Sequence, residues 1–161
     1  MGSIHWISNK LDRISQVFVQ IALAIIVILF LAEAFARNVL RTSLIWVDEV
    51  SVTFLGTWFV FIGAAHAMKV GLLISFEALL PSLPRPLRSA AFFVTQAFIL
   101  LFLMVIIVFG SRLALFTMSQ PSAALQWPMG LAYSGVVAGC VLMVTHTVAA
   151  ILSKVRNEGT Q

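Results

Sequence analysis

The chain has 161 residues, of which 61% are hydrophobic and 10% charged, with a formal net charge of +4. Soluble domains carry about 45–50% apolar and ~25% charged residues, so a water-soluble globule is excluded, and so is a disordered chain, which needs low hydrophobicity and high charge. The single cysteine, Cys140, permits no internal disulfide, no CxxC redox pair and no four-thiolate metal site. The length suits one domain, residues 1–161. This composition is that of an integral membrane protein, and apolar runs longer than the ~9–11 residues of a membrane strand make the expected fold all-α.

Crossing ~30 Å of hydrocarbon takes about 20 mainly apolar helical residues. The first such run, Ile14 to Ala32, has no ionisable side chain. It also reads as a signal peptide, with Lys10 and Arg13 as the basic end and Ala34-Phe35-Ala36 as a cleavage site. Signal cores are about 7–15 residues, so the greater length here favours an uncleaved span. Next, the connection from Arg37 to Glu49 mixes charge with an aromatic. Glu33 and Arg37, four apart, can pair on a continued helix and ease each other's desolvation. Trp46 suits an interfacial aromatic belt, and Asp48 and Glu49 suit the positive end of the next helix dipole. The same residues also read as plain markers of a membrane boundary.

The second run, Val50 to Met68, has His66 as its only titratable group. After it, Leu72, Leu73, Phe76, Leu79 and Leu80 form a helical stripe within Val70–Pro84. That segment is too short to span. The spacing predicts a short helix lying in the inner interface, anchored by Lys69 and Arg85, or alternatively a tight hairpin loop packed on the spans. The third run, Ser89 to Ser111, is uncharged, and Phe92, Phe93, Phe98, Phe102 and Phe109 spread bulk around it, as suits a lipid-facing helix. The uncharged stretch from Leu113 to Ser153 is too long for one span, and its polar part, Thr117 to Pro128, carries two prolines. The fourth span is therefore placed at Met129–Leu152. Within it Gly135 and Gly139 form a Gly-xxx-Gly pair, and in the second span Gly56, Gly63 and Ala67 share a face. Small residues let membrane helices approach closely.

Basic residues flanking the spans set the orientation. With the N-terminus inside, Lys10, Arg13, Lys69, Arg85, Arg88, Lys154 and Arg156 are cytoplasmic, while Arg37, Arg41 and Arg112 lie outside. Both termini are accordingly expected in the cytoplasm. The positive charges form no single patch, so a nucleic-acid partner is not expected. The middles of all four spans lack Asp, Glu, Lys and Arg, and no proline interrupts them, although transport sites place such groups at the bilayer midplane. No Ser/His/Asp order, metal cluster or Gly-rich phosphate loop is present, so no enzyme activity and no cofactor or metal site is expected. The alternative uses His66 and His146 as paired axial ligands of a haem, as in a four-helix membrane anchor of a respiratory enzyme.

Arg37-Asn-Val-Leu-Arg-Thr-Ser-Leu-Ile-Trp46-Val-Asp48-Glu49 resembles the signature entering the second span of small membrane subunits of TRAP (tripartite ATP-independent periplasmic) transporters. Trp58 and Phe61-Ile-Gly63-Ala64-Ala65 continue the likeness, as do Ser122-Ala-Ala-Leu-Gln-Trp-Pro128, Tyr133 and Gly135. The family often carries a Gly-x-His after the second span, whereas Gly71 here is followed by Leu72 and Leu73. The resemblance implies a non-catalytic subunit in a multi-pass position in the bacterial inner membrane. Its implied partners are a large many-span subunit, which holds the sodium and organic-acid sites, and a periplasmic solute-binding protein. It implies that Glu33, Arg37, Trp46, Asp48 and Glu49 organise the outer end and nearby partner contacts, alongside the family's Trp58, and that Gly63, Gly135 and Gly139 serve close helix packing.

Overall fold

A computed structural model describes residues 2–70 and 85–158, and they are almost entirely helical. Helix α1 (Gly2–Phe35) runs on through a wide π-helical turn, Ala36–Leu40. Arg41 then adopts a left-handed conformation (φ 54°) and ends it. Three consecutive segments build the second span: α2 (Ile45–Asp48), a π-helical stretch (Glu49–Gly56) and α3 (Thr57–Lys69). Helix α4 (Arg85–Phe116) closes in a 3₁₀ turn, Thr117–Ser119, and α5 (Gly130–Glu158) completes the chain's described part.

Four of these helical stretches are long and apolar enough to cross a membrane: Ser8–Leu40, Ile45–Lys69, Ser89–Ser119 and Gly130–Arg156. The four expected spans are thus present, each longer than its uncharged run. A 33-residue helix such as the first is roughly 50 Å long, more than the hydrocarbon core, so its ends reach the interfaces or it tilts. The segment expected to form an interfacial helix, Val70–Pro84, lies outside the described residues apart from Val70.

The fourth span is the centre of the bundle. It packs along α3 on one side and α4 on the other, while α1 packs mainly on α3. Its most apolar window is 39% buried, against 11% for the first and third spans. Glycine makes the central contacts possible. A Cβ on Gly139 would stand 2.5 Å from Phe61 Cβ and 2.7 Å from the Phe61 carbonyl, and one on Gly135 would stand 2.7 Å from the Trp58 ring. At Gly63 the nearest atom would be a Val19 methyl at 3.9 Å, so Gly63, unlike the other two, marks no close approach within this chain. The flanks are apolar and uncovered: Ile28, Leu31, Phe98, Phe102 and Phe109 all stand exposed. With no water at that depth, such surface suits lipid or other helices.

Candidate functional site

Polar side chains gather at the two ends of the bundle. One end carries the turns 33–49 and 117–130. Here Glu33 is buried within the first span and lies 4.0 Å from the exposed Arg37, at i,i+4 on the continued helix. Trp46 is 45% exposed and Asp48 is exposed. The helix begins at Ile45 rather than Val50, so Asp48 lies in its first turn and Glu49 directly after it, and the N-cap, Leu44, makes no side-chain cap bond.

Glu49 is used differently. Its Oε2 accepts the backbone N–H of Ala124 at 2.9 Å and of Leu125 at 2.7 Å. The loop that donates them is tightly folded. Ser122 N–H donates to Trp127 O at 2.8 Å, Trp127 N–H donates back to Ser122 Oγ at 3.1 Å, and Met129 N–H donates to Gln120 O at 3.0 Å. Gln126 takes a positive φ of 59° at its tip. The Phe54 and Trp127 rings meet edge to face, 5.6 Å between centroids. A carboxylate that accepts two backbone N–H groups is a strong, directional clasp, so Glu49 pins the loop entering the fourth span to the start of the second. About two turns deeper, Trp58 Nε1–H donates to Leu131 O at 2.9 Å while its ring lies over Gly135 and 6.3 Å from Phe18. The structure therefore gathers Glu49, Trp58, Gly135 and Gly139 along the second-to-fourth span contact. It leaves Arg37, Trp46 and Asp48 on the outside.

The opposite end carries both termini and holds a network that the sequence reading missed. Asp12, buried, accepts from His66 Nδ1 at 2.6 Å, from Lys69 Nζ at 3.0 Å and from Gln16 Nε2 at 3.3 Å. Lys69 also donates to Asn9 Oδ1 at 2.8 Å and Ser8 O at 3.4 Å. Ser8 Oγ in turn lies 2.9 Å from Nδ1 of the buried His146. Asp12 precedes the uncharged run Ile14–Ala32, and the helix extends back through it. The available signal was a single carboxylate there, with His66 and Lys69 three apart at the matching end of the next span.

This arrangement defines an integral membrane protein of the helical-bundle class, with its ionisable groups at the ends and apolar side chains between. The profile of a family described as "Tripartite ATP-independent periplasmic transporters, DctQ component" matches residues 26–157, and the chain belongs to that family. The family is the small membrane subunit of TRAP transporters and works with a large membrane subunit and a binding protein. It is a transporter component and not an enzyme. A comparison with curated proteins gives no match. The haem-anchor alternative is not favoured, and the two histidines bond into different side-chain sets, His66 to Asp12 and His146 to Ser8.

Proposed function

We propose that the chain is the fixed scaffold of a sodium-coupled organic-acid importer in the bacterial inner membrane, with both termini in the cytoplasm. It extends the immobile part of the large subunit and helps receive the periplasmic binding protein. The observation that carries this reading is the absence of Asp, Glu, Lys and Arg from the middle of every span. Ion and substrate coordination at the midplane calls for such groups, so these belong to the partner subunit. The orientation rests on the excess of basic residues at the end that carries the termini. Arg37, Trp46 and Asp48, exposed at the other end, are the side chains positioned for partner contact, and Glu49 holds the loop beside them.

The test is mild detergent extraction of the chain co-expressed with the large subunit, followed by reconstitution with the binding protein under a sodium gradient. Expected are co-purification of a many-span partner and sodium-dependent uptake, with assembly or uptake weakened in Trp46→Ala and Glu49→Gln. Purification as a stable lone monomer that transports by itself would overturn the proposal.

A further inference from the structure

The outer face of α1 carries a groove of about 620 Å³, lined by Lys10, Arg13, Ile14, Val17, Phe18 and Ile21. These residues recur at helical spacing and so form one stripe along the helix. Both cations, which are exposed, stand at the end of the stripe nearest the N-terminus, and the rest of the lining is hydrocarbon. Ile14, Val17 and Ile21 are each more than half exposed, so no described helix covers them. Phe18 is held in place by the Trp58 ring, 6.3 Å between centroids.

Depth and charge together select the occupant. From Lys10 to Ile21 the helix rises about 16 Å, roughly half of the ~30 Å hydrocarbon core and hence the depth of one lipid leaflet. Helical side chains tilt toward the N-terminus, so Lys10 and Arg13 reach back to the headgroup level while the apolar stripe runs inward. No acidic residue lines the groove. Asp12, the one acid among residues 1–32, is buried and accepts from His66, Lys69 and Gln16. A guanidinium meets a phosphate through paired N–H donors, and an ammonium meets it as a point charge. A soluble anion would leave the stripe uncovered, and an apolar helix would leave the cations without an anion. A zwitterionic headgroup would bring a third cation to the two already there. A lipid of net negative charge satisfies both halves.

We infer that this groove binds one anionic phospholipid of the leaflet at the end carrying the termini. Its phosphate lies on Lys10 and Arg13, and an acyl chain runs along Ile14, Val17, Phe18 and Ile21. Basic residues beside a span attract anionic lipid in general; the seat for a chain directly below these two makes a site of that attraction. The site depends neither on the scaffold role nor on which side of the membrane the termini lie.

Native mass spectrometry of the full chain tests it, with equal amounts of phosphatidylglycerol and phosphatidylcholine of the same acyl chains added in mild detergent. Preferential retention of one phosphatidylglycerol is expected. Lys10→Gln with Arg13→Gln is expected to lower that retention about tenfold. Lys154→Gln with Arg156→Gln, a basic pair near the end of α5, is expected to leave it unchanged. Glycerol phosphate, an anion without acyl chains, is expected not to displace the lipid at equal concentration. Equal retention of the two lipids, equal loss in both double variants, or displacement by glycerol phosphate each overturns the inference. So does a lipid-free dimer that Lys10→Gln with Arg13→Gln dissociates, because a second copy then fills the groove.

Discussion

Gly139 and Gly63 belong to the same small-residue pattern, yet their surroundings set them apart. At Gly139 an added methyl would collide with Phe61 Cβ and backbone, 2.5 and 2.7 Å away, atoms that cannot rotate aside. Over-packing of this kind costs about 1–3 kcal/mol. At Gly63 the methyl would touch Val19 at 3.9 Å, ordinary van der Waals contact. Gly139→Ala is therefore expected to lower the thermal midpoint of the purified chain by several degrees, while Gly63→Ala leaves it within the ±0.5 kcal/mol typical of unconstrained sites. Thermal unfolding in detergent checks both. If Gly63→Ala instead destabilises only the assembled complex, its small side matters to a partner and not to this bundle. The spacing of glycines marked which residues could allow close approach. It carried no information on which neighbour each one faces, because that neighbour lies 44 residues away in sequence for Gly63 and 78 for Gly139.

Among the elements, the first and second spans are joined through one carboxylate. Asp12 receives His66, Lys69 and Gln16, and these contacts bring the start of α1 against the end of α3. Replacing it by Asn keeps the shape but removes the charge that draws both the ammonium and the imidazole. Hydrogen bonds to charged groups are worth about 1.5–3 kcal/mol, and partial exposure at an interface screens them. Asp12→Asn is thus expected to cost roughly 1–2 kcal/mol and to raise protease sensitivity at the N-terminal end first. A cleavage pattern equal to that of the unaltered chain would count against the tie. The spans themselves were legible in the sequence because hydrophobic length is a local property. Their true starts were not, since α1 runs back past Lys10 and Arg13 and the second span starts at Ile45, where polar residues end an apolar run without ending a helix. The Glu49 clasp was half legible: both segments were marked by resemblance, but a bond between Glu49 and Ala124 leaves no trace in the periodicity of either.

For the whole molecule, the separation of apolar middle from polar ends carries a kinetic consequence. If substrate and sodium bind in the large subunit, a defect in this chain changes how many competent complexes exist, or how they turn over, without changing what the binding site contacts. Gly139→Ala and Asp12→Asn act at opposite depths of the bundle, one inside the second-to-fourth span contact and one at the end carrying the termini. The first acts on packing and the second on an ion-paired tie between spans, and neither on a coordinating group. In proteoliposomes containing the large subunit and the binding protein, each variant is expected to lower the maximal uptake rate in proportion to the amount of assembled complex. The KM for solute and the sodium dependence are expected to stay unchanged, because interactions that set ground-state binding are untouched. Uptake normalised to complex, measured across solute and sodium concentrations, separates the two cases. A shifted sodium dependence at full complex level would place part of the ion-binding machinery in this chain, contrary to the charge-free middle of its spans.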